Sequence, residues 1–143
     1  MEVKEGDVRK CLVKKWPDFS GYGFNLHAER GKAGQYVGKV DEGSPAEAAG
    51  LKDGDRIVEV NDVNIGNENH QQVVTRIKAG GEQVTLLVVD KVADEYCRIN
   101  KLVITHELPD VKSLECPDTS DGAKQTEIQE VTGLYYLSYS LAI

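Results

Sequence analysis

The chain has 143 residues, 40% of them hydrophobic and 29% charged, enough apolar material for one small domain with length to spare and too much for wholesale disorder. A formal net charge of −7 excludes a nucleic-acid reading, because a phosphate backbone demands a basic surface. No apolar run reaches the ~18 residues of a membrane span, the opening MEVKEGDVRK has no apolar signal core, and Cys11, Cys97 and Cys116 are spaced as reduced cytosolic thiols rather than as a disulfide framework.

Taken in chain order, Cys11-Leu12-Val13 reads as a short apolar strand. Phe24-Asn25-Leu26-His27 alternates apolar and polar, the period of a half-buried strand. Tyr36-Val37 and Val40 make another, weakened by Gly38. Ser44-Pro45-Ala46-Glu47 is a capping box with proline at the first helical position, and Gly50 stops that helix early. Arg56–Val60 and Val63–Ile65 flank Asn61-Asp62, two residues that tolerate positive φ, which predicts a tight hairpin. Asn69 is an N-cap for a second helix, on which His70, Val73, Val74 and Ile77 share one face until Gly80-Gly81 ends it. Val84–Val89 is nearly continuous and predicts a buried strand. Few helices among many short strands predict a β-rich α+β class, a partly open barrel of five to six strands with two helices and a C-terminal extension.

Beyond residue 91 the pattern thins. Ala93–Arg98 suits a further helical turn, and 109–122 is polar, with Pro and Gly, as in a linker. Val131–Ile143 holds no charge and three of the six tyrosines, so it is expected to pack on something.

The chemistry concentrates at Ser20-Gly21-Tyr22-Gly23-Phe24. Glycines at 21 and 23 free the backbone to aim successive N–H groups at one anion. A dinucleotide fingerprint fails, because Leu26 stands where the third glycine belongs and no helix follows; a Walker loop lacks its Gly-Lys-Ser/Thr. The flanks Tyr22, Phe24 and Leu26 are apolar, and an anion beside an apolar wall describes the last residue of a peptide. No C-x-x-C or H-x-x-x-H pair offers a zinc site, Ser44 lies outside any G-x-S-x-G, and no paired carboxylates stand out. No catalysis, metal or cofactor is expected.

Gly21-Tyr22-Gly23-Phe24, then Ser44–Leu51 and Asp53-Gly54-Asp55-Arg56-Ile57-Val58-Glu59-Val60-Asn61, resemble the PDZ domain family over about residues 8–91. With His27 and His70-Gln71-Gln72-Val73-Val74, the resemblance narrows to the PDZ domains of sodium–hydrogen exchanger regulatory factors, cytosolic scaffolds beneath the plasma membrane. It implies a domain at 8–91; the pattern beyond gives an extension or linker at 92–122 and an apolar tail at 123–143. It also implies a cytoplasmic adaptor, recruited to the plasma membrane by the C-terminal tails of transporters and receptors, which add to it as a β-strand.

In that reading the amides of Tyr22, Gly23 and Phe24 hold the terminal carboxylate. Tyr22, Phe24, Leu26, Val74 and Ile77 bury the last side chain. His70 receives the hydroxyl of a Ser or Thr two positions before the end, and Asn25 and His27 meet residues further upstream. Lys14 or Lys15 helps attract the carboxylate, although Trp16 to Phe19 lengthen that loop. Gly38 departs from the family, which often carries a long basic side chain there. The chain's own Leu141-Ala142-Ile143 is a candidate groove ligand, for this chain or a neighbour, with Leu141 in place of the expected Ser/Thr. Two other readings stay open: a phosphate- or lipid-headgroup-binding module using the glycine loop, and a self-assembling structural module driven by the tail.

Overall fold

The computed structural model describes residues 6–31, 33–109, 111–118 and 138–143. The strands are β1 Val8–Lys14, β2 Phe24–Glu29, β3 Gln35–Val40, β4 Arg56–Val60, β5 Val63–Asn64, β6 Gln83–Val89, β7 Lys112–Glu115 and β8 Ser138–Ala142. The helices are α1 Pro45–Ala48, α2 His70–Ala79 and α3 Lys91–Ile99. All eight strands join one open sheet in the order β7-β1-β6-β4-β3-β2-β8, with β5 paired to β4 off that path. The domain has six strands and two helices, against the five to six strands and two helices expected, and the chain beyond it adds α3, β7 and β8.

Local chemistry explains the boundaries. Asn61 and Asp62 sit at φ 50° and 65° and turn β4 into β5. The Asn69 side chain accepts from Gln72 N while Gln72 reaches back to Asn69 N, so both first-turn donors at the start of α2 are satisfied. Ser44 caps α1 by accepting from Glu47 N at 3.2 Å, but the Glu47 carboxylate returns to Gly43 N, at 3.0 Å, rather than to Ser44.

Two hydrophobic clusters lie against the sheet. The larger holds Phe24, Leu26, Val37, Val73, Val74, Ile77, Val84, Leu86 and Val88. The second joins Val8, Val58, Leu87 and Val89 to Ala93, Cys97 and Ile104 of the extension. β6 contributes to both, which is why it reads as a continuous apolar run: it is covered on two faces.

The stretch 109–122 differs from its linker-like reading where it is described. β7 pairs in parallel with β1, Cys11 opposite Leu114, and the chain after it buries Cys116 in the main cluster. The residues of β7 are exposed because it is an edge strand, so its polar composition hides a strand behind the look of a linker.

His106 is half-buried and places Nδ1 2.6 Å from Oε1 of Glu59, which is only 4% exposed. This bond raises the imidazole pKa above its ordinary 6.5; Asp62 adds to the effect, whereas partial burial and Lys10 oppose it. A raised folded-state value means that the contact is fully stabilising below about pH 6.5 and is lost as pH rises through the folded value. Melting temperatures between pH 5.5 and 8.5 should therefore fall more in the parent than in His106→Gln. Parallel profiles would sink this assignment.

Candidate functional site: a carboxylate cradle beside a strand edge

Gly21 and Gly23 adopt φ of 73° and 92°. In this left-handed region, which glycine enters without a Cβ penalty, the backbone turns so that two successive amides converge. Tyr22 N and Gly23 N each donate to the Ile143 oxygen at 3.0 Å. The approach is close: a Cβ on Gly21 would stand 2.9 Å from the Ile143 carbonyl carbon.

The cradle is braced from behind. Ala46 N donates to Tyr22 O at 2.9 Å and Asp41 N to Gly23 O at 2.8 Å, tying the loop to the start of α1. Ser44 fills the space behind Gly23, where a Cβ would meet Ser44 Cβ at 2.2 Å. The Tyr22 hydroxyl donates to Gly81 O at 3.3 Å, and burial pushes its phenol up to about 12, so the ring is a neutral wall.

From the cradle, β8 runs antiparallel along β2. Ile143 N donates to Phe24 O at 2.7 Å, and the register sets Asn25 opposite Ala142, Leu26 opposite Leu141 and His27 opposite Ser140. The Ile143 side chain packs against the main cluster, to which Phe24, Leu26, Val74 and Ile77 belong. Asn25 and His27 are half-buried on the other face of β2. Gly38 lies beside them: a Cβ there would stand 3.3 Å from the Cβ atoms of both. His70 Nε2 lies 3.1 Å from Leu26 O; a carbonyl only accepts, so this nitrogen carries the proton in that contact.

The structure thus sets Tyr22, Gly23 and Phe24 on the last residue of the chain, places Leu26, Val74 and Ile77 in the cluster against which Ile143 packs, and puts His70 on the Leu26 carbonyl, with Asn25 and His27 beside the ladder. Phe24 meets Ile143 through its carbonyl. Lys14 corrects an expectation: its ammonium is drawn to Asp118 at 2.7 Å and Glu115 at 3.3 Å on the extension, not to the carboxylate. Lys15 stays at the cradle wall, its Nζ 5.5 Å from the centre of the Tyr22 ring. Sequence reasoning gave Gly21 freedom but no ligand contact, and it gave Ser44 only its capping role. The part of the tail at 123–137 lies outside the described residues. Among the described residues, one set of three groups, Glu59, Asp62 and His106, has a ligand atom from each within 4.8 Å. His106 already bonds Glu59, and Lys10 lies 3.1 Å from Asp62.

The PDZ domain family model matches residues 13–89. The chain belongs to the PDZ domain family. A PDZ domain from choanoflagellate SHANK1, bound to a GIRK3 peptide, superposes with a TM-score of 0.54 at 30% identity, covering 61% of this chain and 96% of that one. The chain is 52% identical over 101 residues to the Na(+)/H(+) exchange regulatory cofactor NHE-RF1 of Gallus gallus, an alignment covering 68% of this chain and 30% of that protein. It is 54% identical over 88 residues to NHE-RF2 of Oryctolagus cuniculus, covering 62% and 28%. The chain therefore spans under a third of the length of these relatives. Among the described residues no helix is long and apolar enough to cross a membrane.

Proposed function

We propose that this PDZ domain is a non-catalytic adaptor that binds free C-terminal peptides by adding them as a strand to β2. The observation that supports this reading is the pair of Tyr22 and Gly23 amides on the Ile143 oxygen, continued by the ladder between β8 and β2. Hydrogen bonds to a charged group contribute about 1.5–3 kcal/mol each, and burial of one aliphatic side chain about the same. After ordering costs, affinity near micromolar follows, about −8 kcal/mol.

The preferred ligand ends Ser/Thr-x-Leu/Ile/Val, its hydroxyl directed to His70. The kinship with exchange regulatory cofactors and the GIRK3 peptide on the structural neighbour favour transporter and receptor tails. The module then works in the cytoplasm, at membranes where those tails emerge. In this chain its own end competes for the groove. Tethered at ~1 mM effective concentration with a dissociation constant of ~10 μM, that end lowers the apparent affinity for other ligands about a hundredfold.

The test is a titration of the intact chain and of Ile143→Asp with a peptide ending Ser-x-Leu. The variant, with a charge in the apolar pocket, is expected to bind ten- to a hundredfold more tightly than the parent. Amide shifts are expected at Tyr22–His27 and His70–Ile77. An amidated peptide that binds as well as the free acid would overturn the reading. Displacement by inorganic phosphate would favour a phosphate site instead.

A further inference from the structure

We infer that residues 114–118 of the C-terminal extension are a positioning element of the carboxylate cradle, acting through their grip on Lys14 and Trp16. The inference rests on the cradle reading above.

Residues 15–23 join β1 to β2 without regular structure of their own. Such a connection holds two amides on one oxygen only where something fixes its path. The extension supplies three anchors at its start. Cys116 N donates to Leu12 O at 3.1 Å. Lys14 N donates to Cys116 Sγ at 3.0 Å. The indole Nε1 of Trp16 donates to Pro117 O at 2.8 Å. Trp16 is 3% exposed and Cys116 2%, both in the main cluster, so these contacts are shielded from water. An indole N–H only donates; without the Pro117 carbonyl its buried hydrogen would lose this partner.

The grip reaches the cradle through contiguous contacts. Phe19 N donates to Trp16 O at 3.2 Å, closing a turn. The Phe19 ring then stands against Gly23: a Cβ there would lie 3.1 Å from Phe19 Cε1. At the other side of β7, Leu114 packs over Gly50, where a Cβ would meet Leu114 Cδ1 at 2.6 Å. The extension is thus pinned away from the ligand and presses on the loop that receives it. The amides are held ready before a carboxylate arrives, which lowers the ordering cost of binding.

The test uses the full chain carrying Ile143→Asp, to keep its own end from competing, and one Ser-x-Leu peptide as free acid and as C-terminal amide. The parent is expected to prefer the acid by about ten- to a hundredfold. Trp16→Phe keeps a ring but removes the N–H; it is expected to shrink that preference about fivefold while leaving the amide's affinity in place. Leu114→Asp, which loosens the extension at Gly50, is expected to shrink it likewise, and it carries the test should Trp16→Phe not fold. A purely structural role would lower the melting temperature and leave the acid-to-amide ratio unchanged; that result overturns the inference. A parent with no acid preference overturns the cradle reading itself, and this inference with it.

Discussion

Replacing Gly23 with alanine is expected to abolish carboxylate binding and to cost about 2–5 kcal/mol of stability. Two penalties add. The residue sits at φ 92°, where an L side chain is strained by roughly 1–2 kcal/mol. Its new Cβ would also lie 2.2 Å from Ser44 Cβ, and overpacking of that kind costs about 1–3 kcal/mol. Ser44 caps α1, and Ala46 N holds Tyr22 O, so relief of the clash must move either the helix start or the cradle amides. Gly31→Ala is the control: its φ is 79° but nothing lies within 4 Å of the added Cβ. It should show the strain alone and bind normally. Urea unfolding and titration with a free-acid peptide measure both quantities, and undiminished binding by Gly23→Ala would remove the basis of the assignment.

Arg9→Met should destabilise the chain by about 3–5 kcal/mol, the cost of leaving one member of a buried ion pair alone. Arg9 and Asp55 are 3% and 1% exposed, and Nη2 meets Oδ1 at 2.5 Å. Arg9 Nη1 also bonds Gly50 O, and Lys52 N donates to the other Asp55 oxygen at 2.9 Å, so the pair ties β1 to the approach to β4. Burial lifts the Asp55 carboxyl above its ordinary 3.8, against the pull of Arg9 and the Lys52 amide. Loss of Arg9 removes most of that pull and lifts the carboxyl further. A carboxyl with a raised folded value binds its proton more readily folded than unfolded, so stability falls as pH rises from about 3.8 through the folded value. The penalty of Arg9→Met is therefore largest at neutral pH and shrinks toward pH 4.5, and adding Asp55→Asn should recover part of it. A penalty independent of pH and of Asp55→Asn would show that lost packing, not a stranded charge, governs the site.

Much of this architecture is legible locally. The positive-φ pair Asn61-Asp62, the Asn69/Gln72 cap, the unbroken apolar run of β6 and the Gly21-Tyr22-Gly23 loop each carry their conformation in adjacent residues. What is not legible depends on partners far along the chain. β1 reads as only Cys11–Val13 because Arg9 breaks its apolar run, and Arg9 is buried only because Asp55 neutralises it. Glu59 is hidden in β4 for the same reason, with His106 as its distant partner. Lys14 is one residue from the cradle's approach, yet its charge is taken by Asp118, 104 positions away. β7 has no apolar period to announce it, since an edge strand lying in solvent needs none.

The seating of Ile143 also governs how the chain is worn away. A carboxypeptidase must take the last peptide bond into its own site, and here that residue's N–H is bonded to Phe24 O while its oxygen lies on the Tyr22 and Gly23 amides. On the proposed self-docking, trimming then samples only the undocked fraction, about one chain in a hundred at the tethered concentration above. A ligand that takes the groove releases the tail to the enzyme. On the same proposal, loss of Ile143 removes from the end the side chain that packs against the main cluster, so a trimmed chain binds other ligands more tightly.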